Sequence, residues 1–363
     1  MTNPLLQLQE HGQSVWIDYI RRDLIHNGGM QAFIDQDGVR GVTSNPAIFE
    51  QAIAQSDLYD EAMKSINESD TVRVYEILAI QDIQAACDVF LPVYEKNNGG
   101  DGFVSLEVSP RLANDTQGTI DEAKRLFAEV NRRNVMIKVP ATPAGIPAVE
   151  ELIADGLNIN VTLIFSISAY KHVCEAYIRG LEKRLEAGQS VSDLASVASV
   201  FISRIDAKVD KILEEKELVD LMGKVGVANL RLVYQQFKSI FYGPQFEKLK
   251  QAGASVQRPL WASTSTKNPS YRDVLYVETL IGPDTVNTLP MSTLEAFRDH
   301  GIAASTVEND LDEATQVMKQ LVEAGIDLDQ IMDQLLEEGV EKFVTPFDQL
   351  LSSISEKRSS IKA

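Results

Sequence analysis

The chain has 363 residues, of which 44% are hydrophobic and 24% charged, a composition typical of a soluble globular protein with one large domain or two ordinary ones. Its 34 basic and 53 acidic residues give a formal net charge of −19. A field of that sign repels phosphate backbones and anionic membrane surfaces, so we expect no nucleic acid partner.

The N-terminus and the cysteine and histidine contents limit the class of protein further. The first twenty residues lack the basic start and apolar segment of a secretory signal, and we expect no run of about 18 apolar residues to span a membrane. Cys87 and Cys174 lie in separate helix-like segments, which is typical of inert thiols in a reducing compartment. The four histidines show no ligand spacing. The sequence therefore predicts a cytoplasmic protein with no membrane partner and no metal site.

Short apolar segments alternate with amphipathic helical stretches, which favours βα units around a parallel sheet. Eight segments have the length and composition of buried strands: 14–20, 39–46, 103–110, 134–140, 159–166, 199–205, 258–264 and 284–290. Eight parallel strands with intervening helices predict a closed (β/α)8 TIM barrel, although an open doubly wound sheet would give a similar pattern. The polar residues at the strand ends favour the barrel.

Further helical stretches enlarge this minimal α/β pattern. They are expected at the N-terminus, in the connections between strands two and three and between strands six and seven, and after the eighth strand. We predict a single domain over residues 1–363, with a C-terminal helical extension at about 305–351. The last residues, 352–363, are expected to form a short frayed tail.

Lys138 lies in the apolar strand segment NVMIKVP and gives the strongest indication of function. Burying an unpaired ammonium disfavours its charged form, and a neutral lysine is a nucleophile for carbonyl carbons. Strand side chains alternate between two faces, so Lys138 shares its face with polar residues of other strands. These are Asp18, Thr43, Asn45, Ser105, Glu107, Asn158, Asn160 and Thr162, whereas Leu163 is expected to face outward with Val161.

Each of these polar residues also has a purely structural interpretation. Asp18 could satisfy a backbone group, Asn45 could form a turn before Pro46, and Glu107 could pair with Arg111. Several polar side chains at matching depth are better explained by one pocket at the carboxyl ends of the strands.

The strand ends carry motifs in a recognisable order. GVTSNPAIF, VSLEVSPRL, IKVPATPAGI and NINVTLIFS occur at 41–49, 104–112, 137–146 and 158–166, and SVFISRID follows at 199–206. On these motifs the chain resembles the transaldolase family over nearly its whole length. The resemblance implies a (β/α)8 barrel that moves a dihydroxyacetone unit between phosphorylated sugars of the pentose phosphate pathway. It implies no cofactor.

The resemblance also implies roles for individual residues. Lys138 matches the Schiff-base lysine, Asp18 the proton acceptor for the substrate C4 hydroxyl, and Glu107 an acid and base that acts through a water held by Thr162. A carboxylate in direct contact would keep the lysine charged, so we expect Glu107 not to touch it. The remaining matches line the substrate pocket: Asn45 and Asn160 for the dihydroxyacetone hydroxyls, and Ser199 and Phe201 beside them.

The substrate phosphate needs cations, and Arg204 matches a phosphate-binding arginine of the family. Many relatives carry Ser-x-Arg after the seventh strand, but this chain has WASTSTKNP. Ser263 and Lys267 are therefore the predicted further phosphate ligands, with Ser265 as an alternative and a solvated loop lysine as the structural interpretation of Lys267.

Two other functions remain open. A related class I aldolase would cleave fructose 6-phosphate and release free dihydroxyacetone. A barrel retained only for binding would form no covalent intermediate, which the set of Asp18, Asn45, Glu107, Lys138 and Asn160 argues against. The sequence leaves the choice between monomer and homodimer open.

Overall fold

The computed structural model describes residues 3–362, and its centre is a closed barrel of eight parallel strands. Each strand pairs with the next one in sequence, and the eighth pairs with the first. The strands are β1 (Gln13–Asp18), β2 (Gly41–Thr43), β3 (Phe103–Glu107), β4 (Val135–Pro140), β5 (Ile159–Ile164), β6 (Ser196–Phe201), β7 (Arg258–Ala262) and β8 (Thr285–Leu289). The predicted (β/α)8 barrel is confirmed.

Helices surround the barrel and fill the connections in which extra helices were predicted. In chain order they are α1 (Pro4–Glu10), α2 (Arg22–His26), α3 (Gly29–Asp37), α4 (Pro46–Phe49), α5 (Asp60–Ser65), α6 (Thr71–Lys96), α7 (Thr116–Val130), α8 (Gly145–Asp155), α9 (Ile167–Glu186), α10 (Ser203–Glu215), α11 (Val225–Phe241), α12 (Pro244–Gln251), α13 (Leu275–Glu278), α14 (Met291–His300), α15 (Leu311–Glu323) and α16 (Leu328–Lys362). More than one helix follows β1 (α2 and α3), β2 (α4 to α6) and β6 (α10 to α12), and α1, α15 and α16 are further additions at the two ends of the chain. The second helix after β1 was not predicted.

Strand boundaries differ most from the prediction at β6. The strand begins at Ser196 rather than at 199, and Ser203 already starts α10, so the predicted segment 199–205 contained a strand end and a helix start. The apolar run continues across the boundary because Ile202 and Ile205 are buried on the helix side. Continuous apolarity therefore concealed the change of backbone conformation.

Polar residues at the amino ends of the strands serve structure. Trp16 Nε1 donates a hydrogen bond of 2.8 Å to Asp101 Oδ1. Asn134 Nδ2 donates to the carbonyl oxygens of Cys87 and Gly102, at 2.9 Å each. Asn158, predicted to face the pocket, instead donates to Arg133 O at 3.0 Å and to Val135 O at 3.2 Å. It stabilises the entry into β5, because buried backbone carbonyls need donors.

The long helix α16 crosses the carboxyl end of the barrel and contacts β5, α4, α6 and α10. It extends to Lys362, so the predicted frayed tail at 352–363 is wrong for residues 352–362. Ile354 is fully buried, and Arg358 Nη2 donates to Ile66 O at 3.0 Å. Lys357 Nζ donates to Ile53 O at 3.2 Å. These contacts fix the last turns of a helix whose polar sequence alone indicates fraying.

One helix in the described chain, α6, is long and apolar enough to cross a membrane by length and composition alone. Asp82 and Asp88 interrupt this segment, so it is not the continuous apolar run that the sequence was expected to lack. In the structure, α6 packs against β3, and its buried Glu76 accepts a hydrogen bond of 2.6 Å from Arg125 Nη2. Its Asp82 pairs with Arg22 at 2.8 Å. Buried carboxylates with specific cation partners are properties of a core helix.

Candidate active site

A cavity of about 180 Å³ opens at the carboxyl end of the barrel. Its wall contains ten residues that the sequence predicted for the site or as phosphate alternatives: Asp18, Asn45, Lys138, Thr162, Ser199, Phe201, Arg204, Ser263, Ser265 and Lys267. Glu107 and Asn160 lie outside the wall and contact it through Lys138 and Ser199. The predicted residues therefore come together from seven elements or their following loops, as the barrel rule requires.

Lys138 and Glu107 lie opposite each other on neighbouring strands, because the register of β3 and β4 pairs their Cα atoms. Lys138 Nζ is 3.5 Å from Glu107 Oε2, and both side chains are buried. The expectation that Glu107 does not touch the lysine is wrong, because the two groups lie within ion-pair distance, whereas its action through a water stays a prediction. Lys138 Nζ also donates a hydrogen bond of 2.9 Å to Ser44 O.

The protonation of Glu107 resolves the apparent conflict between a nearby carboxylate and a nucleophilic lysine. Burial raises the pKa of Glu107 to about 7, against the opposing attraction of Lys138. Its Oε2 atom has no hydrogen-bond partner within residues 3–362. A glutamic acid that is half protonated near neutral pH holds its neighbour in the charged state far less strongly than a permanent carboxylate does. It can also donate or accept a proton.

Asp18 ends β1 on the other side of the lysine. Its Oδ1 accepts a hydrogen bond of 2.6 Å from Thr43 Oγ1, whose oxygen is also 2.7 Å from Thr288 Oγ1. Burial raises the pKa of Asp18, while Lys138, Thr43 and Arg204 oppose that rise. A carboxylate that hydrogen bonds on one oxygen and faces the cavity can receive a substrate proton on the other.

Two amides frame the lysine. Asn160 is fully buried, donates to Ser105 Oγ at 3.1 Å and accepts from Ser199 Oγ at 2.7 Å. Asn45 Oδ1 accepts from Ile48 N at 3.1 Å and so caps α4. The turn predicted for Asn45 and its place in the pocket are therefore both correct. Because the capping bond fixes the amide plane, Asn45 Nδ2 has a defined direction in the cavity.

The end of β5 departs from regular strand geometry. The pairing of β5 with β6 shifts between Val161 and Ile164, and Leu163 has a φ of 60°. Leu163 therefore does not follow Val161 outward as predicted, but reaches the region of Gly339 in α16. The hydroxyl of buried Thr162 lines the cavity and has no hydrogen-bond partner among the described residues. It is available to a substrate or a water.

The cations of the site lie at one side of the cavity. The guanidinium of Arg204 stacks 5.0 Å above the ring of Phe201 and 6.0 Å from that of Phe343. Its Nη1 is buried without a hydrogen-bond partner in the part of the chain that the structure describes. Burial lowers the pKa of Arg204. A buried, unpaired guanidinium is costly, so this position favours an anionic ligand.

The loop after β7 carries the other predicted phosphate ligands. Lys267 Nζ donates to Ser265 Oγ at 2.8 Å, and burial, with the nearby charge of Arg204, lowers the pKa of Lys267. Ser263 has a φ of 57°, and its Oγ is 2.9 Å from Ser203 Oγ. All three side chains line the cavity next to Arg204. Since Lys267 faces the site, its interpretation as a merely solvated lysine is less favoured.

The structural alternative for Glu107 fails. Arg111 forms an ion pair with Asp348 of α16 at 2.6 Å, and its guanidinium lies 5.5 Å from the centre of the Phe347 ring. The guanidinium is thus directed to the C-terminal helix. Glu107 keeps its unpartnered oxygen near Lys138 instead.

Sequence reasoning missed five residues of the cavity wall, namely the apolar Ala262 and Pro290 and three others. Thr43 lies on the predicted inner face but had no predicted role, and Thr288 is the penultimate residue of β8, whose inner face the alternation did not assign. The third, Phe343, lies in α16, and its ring centre is 5.6 Å from Lys138 Nζ. A single phenylalanine in an amphipathic helix gives no sequence signal for a site, because the same residue usually packs in a core.

Fold and site together define a (β/α)8-barrel enzyme with a buried lysine between two carboxyl groups. A family model described as Transaldolase/Fructose-6-phosphate aldolase matches residues 15–354, and the chain belongs to this family. A protein named Transaldolase 2 from Nostoc sp. is 48% identical, over 98% of this chain and 97% of the relative. Proteins named Transaldolase from Thiobacillus denitrificans and Mycobacterium bovis are 47% and 44% identical, over 94% and 96% of this chain and 97% and 96% of theirs.

Proposed function

We propose that this protein is a transaldolase that moves a dihydroxyacetone unit between sedoheptulose 7-phosphate and glyceraldehyde 3-phosphate. The products are erythrose 4-phosphate and fructose 6-phosphate, and the reaction is reversible. The observation that carries the proposal is the position of Lys138 Nζ, 3.5 Å from a glutamic acid of raised pKa and in the same cavity as Asp18. The relatives from Nostoc sp. and Thiobacillus denitrificans, which are named transaldolases, support the same activity.

The first step is attack of the neutral Lys138 amine on the C2 ketone of the donor sugar. The nitrogen lone pair forms the C–N bond, and the proton that the nitrogen then gives up moves to the carbonyl oxygen to give a neutral carbinolamine. Loss of its hydroxyl as water, with a proton from Glu107, leaves the iminium. The unpartnered Glu107 Oε2 and Thr162 hydroxyl are suited to position that departing water.

Cleavage follows from the charge on the iminium. Asp18 removes the proton of the C4 hydroxyl, the C3–C4 bond breaks, and its electron pair moves into the iminium to give an enamine. The aldose leaves as a neutral carbonyl compound, and Asp18 keeps the proton. In the forward aldol step the enamine carbon attacks the acceptor aldehyde, and Asp18 returns the proton to the new hydroxyl. Water then releases the ketose product.

Transfer rather than cleavage requires that the enamine survives until the acceptor binds. Asn45 and Asn160 are neutral hydrogen-bonding groups, so they can hold the dihydroxyacetone hydroxyls without supplying an acid to the enamine carbon. Phe201 and Phe343 cover the cavity with apolar surface. Arg204, Lys267 and Ser263 line one side of the cavity, and in this proposal they bind the phosphate of either sugar.

We further propose that the enzyme acts in the cytoplasm on small phosphorylated sugars. The alternative activity within the same family is release of free dihydroxyacetone, as a fructose 6-phosphate aldolase would do. The two share the lysine and differ in the fate of the enamine, so product analysis separates them.

A two-part experiment tests the proposal. With fructose 6-phosphate and borohydride, a reduced dihydroxyacetone adduct should map to Lys138 by peptide mass spectrometry, and it should be absent in Lys138→Met. The exposed Lys171→Met is the matched control and should keep the adduct. An adduct on another lysine, or none on folded protein, would reject the Schiff-base assignment. With erythrose 4-phosphate added, sedoheptulose 7-phosphate should be the main product, and free dihydroxyacetone in its place would favour the aldolase.

A further inference from the structure

A second depression adjoins the catalytic cavity and lies between α10 and α16. It has a volume of about 610 Å³ and is lined by Arg204, Ala207, Lys208, Lys211, Lys267, Leu335, Glu338 and Lys342. On α10, three of its cations follow at helical spacing, since Arg204, Lys208 and Lys211 are four and three residues apart. We call this depression, with these eight residues, the basic groove.

The charge of the basic groove is opposite to that of the protein. The chain has a net charge of −19, yet five cations and a single carboxylate line this groove. Glu338 binds Lys208 and lies 3.9 Å from Lys342 Nζ. Lys211, Lys267 and Arg204 have no ion-pair partner in residues 3–362. The basic groove therefore keeps a net positive charge even though Glu338 partly neutralises Lys208 and Lys342.

The basic groove and the catalytic cavity share two residues. Arg204 and Lys267 line both, so the groove leads directly to the proposed phosphate site. A protein of this net charge repels a sugar phosphate over most of its surface. Unpaired cations along one approach reverse that repulsion locally, because charges within about 8 Å are only partly screened at physiological salt.

We propose that the basic groove is a transient binding site for the phosphate of the sugar substrates, from which they pass to Arg204. This inference rests on the proposed function. Lys211 is the outer contact, Arg204 and Lys267 the inner ones, and Glu338 limits how strongly the phosphate is held by neutralising Lys208. The groove increases the occupancy of the catalytic cavity without entering the chemical steps.

Opposite charge changes give opposite predicted effects. In Lys211→Glu, the KM for erythrose 4-phosphate should rise on the order of tenfold at low salt with kcat unchanged, as the Coulomb energy of a two-unit charge change at about 10 Å from a phosphate dianion indicates. Glu338→Gln should lower the KM about twofold, because Lys208 is released. Lys250→Glu, an exposed site on α12 outside the groove, is the matched control and should leave the KM unchanged. Uncharged glyceraldehyde as acceptor should show none of these effects.

Binding can be tested without turnover. Glucitol 6-phosphate has no ketone and cannot form a Schiff base, so calorimetry of its binding measures the groove and the phosphate site alone. In each variant, the Kd for glucitol 6-phosphate should change in the same direction as the KM for erythrose 4-phosphate. Added salt should raise this Kd less in Lys211→Glu than in the unchanged protein. Equal Kd values in all three variants would overturn the inference even if transfer activity is normal. Absence of transfer by a wild-type protein that binds glucitol 6-phosphate would reject the proposed function instead.

Discussion

Phe343 of the C-terminal helix places its ring centre 5.6 Å from the Nζ of Lys138. The ring is buried, lines the catalytic cavity and also lies 6.0 Å from the guanidinium of Arg204. One aromatic side chain thus lies beside both the proposed Schiff-base lysine and the proposed phosphate site. Gly339 permits this approach, because a Cβ there would lie 3.0 Å from Leu163 Cδ2 and 3.5 Å from Arg204 Nη1.

We predict that Phe343→Ala shifts the enzyme from transfer towards release of free dihydroxyacetone. Removing the ring admits water to the enamine, so the ratio of free dihydroxyacetone to transferred product should rise on the order of tenfold, equivalent to about 1.4 kcal/mol between the two paths. Coupled assays of the two products measure the ratio. Phe343→Leu keeps apolar cover and is the control, and an equal ratio in both variants would contradict the role of the ring.

A second prediction concerns the loop that carries Lys267. Tyr271 in this loop donates a hydrogen bond of 2.6 Å to Asp210, and Tyr276 just beyond it donates one of 2.7 Å to Asp206. Both aspartates lie on α10, the helix that begins at Ser203 beside Arg204. These bonds link the loop of Lys267 to the helix of Arg204, the two cations proposed to bind phosphate. Tyr271→Phe should therefore raise the KM for phosphorylated substrates about fivefold, corresponding to a loss of about 1 kcal/mol, with kcat nearly unchanged.

The control for this loop is Tyr242→Phe. Tyr242 also donates to an aspartate, Asp284, but it is exposed and does not line the cavity. It should leave the KM unchanged. A fall in kcat with an unaltered KM for Tyr271→Phe would show that the bond serves chemistry rather than the position of the loop.

The sequence was sufficient for the barrel and for most of the cavity wall. Eight apolar segments predict the barrel, and period-two alternation predicts the positions of Asp18, Asn45, Lys138 and Thr162 in the wall. The other predicted wall residues, such as Arg204, followed from the resemblance to the family. The alternation failed at Leu163, because a positive φ turns the chain out of register. It also failed to distinguish the two ends of a strand, so Asn158 at the amino end was grouped with Asn160.

Contacts between segments that are distant in the chain could not be predicted from the sequence. Phe343 reaches Lys138 across about two hundred residues of chain, and nothing local to α16 indicates which of its apolar side chains faces the barrel mouth. The separation of Lys138 and Glu107 likewise depends on the register between β3 and β4, which alternation leaves undetermined.

The last prediction concerns pH and the raised pKa of Glu107. If Glu107 must donate a proton to form the iminium, kcat/KM should fall above about pH 7, where this group loses its proton, and Glu107→Gln should remove that limb and lower kcat by about 10²- to 10⁴-fold. The same group affects folding. Because its pKa rises from 4.5 in the unfolded chain to about 7, the native state binds more protons between these values, and the free energy of unfolding falls by roughly 3 kcal/mol as pH rises through this window. Denaturant unfolding of Glu107→Gln between pH 4.5 and 7.5 should lack this decrease, and an unchanged pH dependence in that variant would assign it to another group, such as Asp206, whose pKa burial raises to about 6.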